Sequence, residues 1–171
     1  MVETIRVVAA RTDVDASYLM ALADKESSFN PGAKAKTSSA EGLYQFIDQT
    51  WLDAIRSFGL SHGLIVEAAA IDKAEVGLRL DDADLRRRVM ELRRDPYWSA
   101  LMAAEMLKRD TARIEAEIGR PVTAREYYLA HFLGPSGAER LLKLVASEPE
   151  AVAAKKFPAA ARANRSIFFA R

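Results

Sequence analysis

The sequence predicts a mainly α-helical protein, one domain over residues 1–171, with at most a small β-hairpin. Three observations predict it. Ala, Leu, Glu, Arg and Lys dominate, and these residues lose little freedom in a helix. Alternating β-branched runs, the mark of half-buried strands, are scarce. Capping residues and glycines recur at intervals of helix length. The chain has 171 residues, 50% of them hydrophobic, which is enough for one full core, and it carries no repeat, low-complexity tract or interdomain linker.

The elements follow in order. "VETIRVVAAR" reads as a short first helix, and "TDVD" (12–15) offers side chains to cap the second. In that second helix Leu19, Leu22 and Ala23 share a face. Glu26 lies four residues after Leu22 and seven after Leu19, so it projects from the apolar side. A carboxylate placed there needs a partner or has its protonated form favoured by desolvation. Residues 31–41, "PGAKAKTSSAE", read as a loop, with room for a short hairpin whose return is "GLYQF". Asp48 caps a helix through "QTWLDAIRSFG", which Gly59 ends. Residues 62–80 read as one helix with frayed ends, and "DDADLRRRVMELRR" as another, its arginines a solvated face. Asp95 caps and Pro96 opens the longest helix, which Gly119 stops; Leu101, Ala104 and Leu107 mark it as buried and central, with Met106 off that face. Thr123 and Glu126 form a capping box for "AREYYLAHFLG". "GPSG" (134–137) breaks the chain, "AERLLKLVAS" is one more helix, and the tail "ANRSIFFAR" is apolar enough to dock.

Composition removes several function classes. A net charge of +1 argues against a dominant nucleic-acid role. The absence of cysteine excludes disulfides, thiol nucleophiles and thiolate metal sites. With His62 and His131 as the sole histidines, a histidine-rich zinc centre is not expected. No apolar run reaches the roughly 18–20 residues of a membrane span. The stretch "MVETIRVVAARTDVD" does not read as a signal peptide, because Glu3 comes early and the apolar core is short. Either the protein is cytoplasmic as written, or it is an excised domain with an added Met.

The candidate chemistry centres on "KESSFNP" (25–31). Cleavage of a glycosidic bond needs a proton donor that is still protonated near neutral pH, and a glutamate sunk in an apolar wall meets that need. Phe29 supplies part of such a wall. Alone, Glu26 reads as readily as a buried salt-bridge partner. "ESSFNP", then "SSAEGLYQFIDQTW", then "EYYLAHFLGPSGAERLL" change the balance. Together they resemble the lysozyme-like lytic transglycosylases of the SLT (goose-type) family, over roughly residues 14–60 and 95–145. That family pairs Glu-Ser-aromatic-Asn-Pro with Ser-x-Ala-x-Gly-Leu-x-Gln, and here Glu26 and Gln45 stand 19 residues apart. "AHFLGPSGA" is similar to an α-proteobacterial and phage-associated subset.

The resemblance implies a helical lysozyme-type domain with a cleft for peptidoglycan glycan strands. Glu26 would protonate the oxygen between N-acetylmuramic acid and N-acetylglucosamine. As a base it would then take the proton of the muramic acid C6 hydroxyl, giving a 1,6-anhydro product with no metal or organic cofactor. Gln45 aligns with the family's cleft glutamine. Gly42 allows a close approach of substrate or an unusual backbone angle, or is a plain turn glycine. Tyr44 either packs on a sugar face or is ordinarily buried. Ser38 or Ser39 matches a serine that orients the acid or the N-acetyl group, and Ser27 is structural, a bond at the helix end. Departures fall later in the chain. His131 and Phe132 stand where the family has Tyr-Asn, and "SIFF" lacks the family's C-terminal tyrosine, for which Tyr127 or Tyr128 would substitute, Tyr128 being preferred. His131 either bonds substrate or Glu26, or sits in the core.

A hydrolytic muramidase on the same fold needs a second carboxylate, for which Glu41 and Asp48 are the candidates, each also readable as a solvated loop charge. A non-catalytic glycan-binding or scaffold module is the remaining alternative. Peptidoglycan as substrate implies the periplasm or cell wall, a monomer, and a partner in an envelope machine as a compatible role.

Overall fold

The computed structural model describes all residues except 124, 125, 127, 128, 130–132, 170 and 171. It is mainly helical, with a single two-stranded antiparallel sheet among the described residues. The chain divides into two compact units, Met1–Leu107 and Lys108–Arg171, and each is described by itself.

In the first unit, α1 (Val2–Thr12) ends where Asp13 takes a left-handed conformation at φ 56°. Asp tolerates that region because its short polar side chain bonds locally. Asp15 then caps α2 (Ala16–Ser27), its carboxylate accepting from the Ser17 N–H at 2.7 Å. The "TDVD" segment thus supplies both a stop and a start. α3 (Asp48–Phe58) follows the loop of residues 28–47. Its cap differs from the one expected. Asp48 is the first helical residue, and its N–H donates to Ser39 Oγ at 3.1 Å, so the capping oxygen comes from nine positions back. Gly59 does not stop the chain either: a 3-10 turn (Gly59–His62) continues to Gly63, which takes the left-handed angle at φ 92°.

Residues 62–80 depart furthest from the single helix expected. They form α4 (Ile65–Ala69) and a hairpin of β1 (Asp72–Lys73) and β2 (Leu78–Arg79), with Asp72 opposite Arg79 and Lys73 opposite Leu78. Gln49 of α3 explains the register. Its amide nitrogen donates to the Leu78 carbonyl at 3.0 Å, and its oxygen accepts from the Leu78 N–H at 2.7 Å. Gly77, at φ 74°, leaves the space that Gln49 occupies: a Cβ there would lie 2.4 Å from Gln49 Oε1. The hairpin expected at 31–46 is instead a pair of isolated bridges, Lys34 with Glu41 and Glu41 with Phe46.

α5 (Ala83–Glu91) is capped by Asp82, which accepts from the Leu85 N–H at 2.9 Å, and runs into a 3-10 turn (Leu92–Arg94). Asp95 caps α6 (Pro96–Ile118) as expected, accepting from the Tyr97 and Trp98 N–H groups at 2.8 and 3.1 Å. Ala100 through Ala104 are all buried, so α6 is apolar around its whole circumference there. The core of this unit gathers Ile5, Val8, Leu19, Leu43, Trp51, Leu52, Ile55, Val89, Leu101 and Met102. Trp51 is fully buried, lies 5.1 Å from the Phe46 ring, and donates its indole N–H to the Val89 carbonyl at 2.7 Å. That bond satisfies the one polar atom a buried tryptophan brings with it.

In the second unit, Ile114 packs with Ala138 and Leu142 of α7 (Pro135–Ser147). The capping box forms: the Thr123 N–H donates to Glu126 at 2.9 Å, and the Glu126 N–H donates to Thr123 Oγ1 at 3.3 Å. The Arg120 guanidinium, with that backbone bond, pulls the Glu126 carboxyl down to about 2. Three short helices complete the unit, α8 (Ala153–Lys156), α9 (Pro158–Ala163) and α10 (Arg165–Phe168). The tail does not bury as expected: Ile167 and Phe169 are exposed, and the Arg165 guanidinium lies 5.6 Å from the Phe169 ring. No helix among the described residues is long and apolar enough to cross a membrane.

Candidate functional site

Glu26 sits in the last turn of α2 and is half-buried. It continues the stripe of Leu19 and Ala23, both fully buried, to the point where the helix leaves the core. The turn after the helix is strained. Ser28 and Phe29 are both left-handed, at φ 50° and 60°, a conformation that costs a bulky residue about 1–3 kcal/mol. The surroundings hold it in place. The Ser28 N–H donates to the Asp24 carbonyl at 2.8 Å, that of Phe29 to Ala23 at 3.3 Å, and that of Asn30 to Ser27 at 3.0 Å. Asn30 Oδ1 then accepts from the Gly32 N–H at 2.9 Å, an Asx turn that reverses the chain at Pro31.

The "GLYQF" loop is fastened to this helix end at two points. Ser27 Oγ lies 2.8 Å from the Leu43 carbonyl and 3.1 Å from the Ala23 carbonyl, so the residue next to Glu26 bonds the loop directly. The helix-end bond expected of Ser27 is present, with a second, longer-range one added to it. Tyr44 is buried in the core, and its hydroxyl donates to the Leu19 carbonyl at 3.2 Å. It therefore holds the loop against α2 and does not present an open ring face.

Burial pushes the Tyr44 phenol well above its usual value near 10. The sign of its effect comes from linkage. Between pH 10 and the raised folded value, the unfolded chain loses this proton while the folded chain keeps it, so stability falls as pH rises. Tyr44→Phe is expected to flatten that alkaline loss. Urea midpoints measured at pH 8 and pH 11 check this; equal alkaline losses in parent and variant contradict it.

Gln45 is the other strained non-glycine in the loop, at φ 49°. Its amide nitrogen donates to the Gly42 carbonyl at 2.8 Å and to the Ala33 carbonyl at 3.1 Å. With its amide protons spent inside the loop, its side-chain carbonyl oxygen is the group left to accept a further bond. Ser38 and Ser39 are exposed. Ser38 Oγ accepts from the Ala40 N–H at 3.3 Å, and Ser39 Oγ caps α3. Tyr128 and His131 lie outside the described residues.

The largest surprise is Arg93. Sequence reasoning put it on a solvated face, yet it is buried, 5% exposed. Its guanidinium donates to the Ser39 carbonyl at 2.9 Å, the Phe46 carbonyl at 3.1 Å, Asp48 at 2.8 Å and Glu41 at 3.1 Å. Arg94 holds the other Glu41 oxygen, donating through Nε at 2.7 Å and through Nη2 as well. Asp48 also faces Arg86 at 3.6 Å. The two carboxylates considered as a second acid are thus ion-paired, and Glu41 is no solvated loop charge: it is 6% exposed. Gly42 completes the joint. It sits at φ 86°, and a Cβ there would fall 1.9 Å from the Arg93 carbonyl oxygen. The unusual angle expected of this glycine occurs, and what approaches it closely is protein backbone.

Taken together, a half-buried glutamate lies in the last turn of α2, a strained turn leads away from it, and a glutamine loop is bonded to its neighbour. This arrangement falls within residues 3–65, which match the family model described as "Transglycosylase SLT domain". The second stretch of the resemblance, residues 95–145, lies outside that match. Over residues 3–65 the chain is thus similar to the lysozyme-like SLT family, whose typical activity is lytic transglycosylase cleavage of peptidoglycan glycan strands.

Proposed function

We propose that this protein cleaves the β-1,4 bond between N-acetylmuramic acid and N-acetylglucosamine, with Glu26 as acid and then base. The observation that carries the reading is the placement of Glu26 at the end of α2, half-buried, beside a loop bonded to Ser27. Glu26 gives its proton to the glycosidic oxygen as the C1–O bond breaks. The carboxylate so formed takes the proton of the C6 hydroxyl, whose oxygen closes on C1. The ring closes without water, and Glu26 ends protonated as it began. Gln45 holds a sugar group through its carbonyl oxygen. Ser38 and Ser39 are further candidate contacts in this reading, Tyr128 and His131 are candidates from the sequence resemblance, and Tyr44 acts from behind the loop.

The pairing of Glu41 and Asp48 with arginines favours this route over hydrolysis. An inverting hydrolase needs a carboxylate roughly 6.5–9.5 Å from the acid to activate water, and a retaining one needs a nucleophile at about 5 Å. A carboxylate whose oxygens are held by guanidinium groups is poorly suited to either task. Residues 1–171 act as one catalytic domain in this proposal, on wall glycan in the periplasm or cell wall.

Product masses test it. Digestion of purified sacculi in ¹⁸O-labelled water is expected to yield unlabelled anhydro-muramic ends, one water lighter than hydrolysis products. Labelled reducing ends would convert the assignment to a muramidase. Binding without any released product would leave a glycan-binding module.

A further inference from the structure

We propose that Arg93 is the positioning residue of the substrate loop, acting on glycan through Gln45; this rests on the cleavage reading above. Residues 39–47 form no regular element before α3, and their own backbone bonds are few. The Arg93 side chain supplies what is missing. It donates to the carbonyls of Ser39 and Phe46 and to the carboxylates of Glu41 and Asp48, so one side chain grips the loop from its start to its end. The planar guanidinium fork sets these contacts at fixed angles, which an ammonium cannot do.

Arg93 is itself immobilised. Its Nε donates to the Met90 carbonyl at 3.2 Å, and its own carbonyl presses on Gly42, the residue whose oxygen Gln45 holds. Gln45 sits between these anchors at φ 49°, an angle that a loose loop would abandon. The chain of contact runs from Arg93 to the loop backbone, to Gln45, to sugar. Arg94 strengthens it from outside by fixing the second oxygen of Glu41. Arg93 touches no reacting atom in this scheme. Its effect is to hold a binding group in place, and misplacing such a group by about 1 Å costs on the order of 100-fold in rate.

A double-mutant cycle tests this on glycan strands freed of stem peptides by amidase. The four proteins are the parent, Arg93→Lys, Gln45→Ala and the double variant, each assayed well below its own unfolding midpoint. Arg93→Lys is expected to lower kcat/KM by about 100-fold, with the same division between kcat and KM as Gln45→Ala. In the Gln45→Ala background the same substitution is expected to cost less than about 5-fold, because the group it positions is already gone. An equal loss in both backgrounds overturns the proposal, since a purely structural arginine gives additive effects. So does activity of Arg93→Lys within about 2-fold of the parent.

Arg87→Lys, on the exposed side of α5, is the control and stays within about 2-fold. Should Arg93→Lys lack a cooperative unfolding transition, Glu41→Gln carries the same cycle, since it keeps the side-chain shape while weakening the grip. Glu26→Gln run alongside separates the two readings. If it cleaves like the parent, or the parent does not cleave, the cleavage reading fails. The cycle is then read in the affinity for the same strands, where equal losses still overturn the role of Arg93.

Discussion

Glu26→Gln is expected to lower the cleavage rate by about 10³-fold or more while leaving the fold intact. The magnitude comes from its two tasks. General acid–base catalysis by one positioned group is worth about 10²–10⁴. In the proposed reaction the same group serves both bond cleavage and ring closure, and an amide can perform neither. The stability cost is small because the replacement is nearly isosteric and the site is half-buried at a helix end. A change within about 1 kcal/mol is expected, roughly 2–4 °C in Tm for a chain of this size. Glycan affinity should change by less than about 3-fold, since the loop proposed to bind glycan is untouched. Turbidity clearing of cell walls, thermal unfolding and strand binding check the three parts. A variant that clears walls at the parent's rate removes Glu26 from the chemistry.

Gly42→Ala is expected to be the most damaging single-carbon addition in the first unit. Its cost has two parts. A non-glycine residue at φ 86° pays about 1–2 kcal/mol for the left-handed backbone. The new carbon would also stand 1.9 Å from the Arg93 carbonyl oxygen and 2.7 Å from its carbon. That neighbour is backbone, so no side-chain rotation relieves the collision, and the 3-10 turn of Leu92–Arg94 must move. The two parts sum to about 3 kcal/mol or more, with loss of cleavage because the turn carries the grip on the Gln45 loop. Gly63→Ala supplies the comparison. It has a similar angle, φ 92°, and nothing within 4 Å of the added carbon. It should show the backbone cost alone. Urea unfolding of both variants isolates the collision, and equal destabilisation would mean that the joint between Gly42 and Arg93 is looser than described.

How much of this could be read in advance depends on the distance over which each feature is determined. Caps are local, so Asp15, Asp95 and the Thr123–Glu126 box were legible from neighbouring residues. Ser39 as the cap of α3 was not, because the oxygen comes from outside the helix and the apparent cap, Asp48, is drawn into an ion pair. The hairpin at 72–79 was lost for a similar reason. Its strands are two residues each, too short for a period of two to register, and they are held by Gln49 from α3. Glu26 was legible because its spacing from Leu19 and Leu22 places it on the buried side. The same reasoning would have found Arg93. Leu85 and Val89 are buried and stand eight and four residues before it, so it continues their stripe. Four other arginines in the segment Asp84–Arg94 drew it into a solvated patch, although a charge on the apolar face demands a buried partner. Glu41, beside a glycine whose angle fits the joint, is that partner.

The central claim is that a glycan seats with its linkage at Glu26 and a sugar on the Gln45 loop. A crystal structure of the E26Q protein with a muramic acid–glucosamine tetrasaccharide tests it most directly. The glycosidic oxygen is expected within hydrogen-bond reach of the side chain at position 26, about 2.6–3.2 Å, with the Gln45 carbonyl oxygen on an adjacent sugar. A tetrasaccharide bound with its linkage away from that side chain, or on a face that leaves residues 42–46 untouched, would contradict the account.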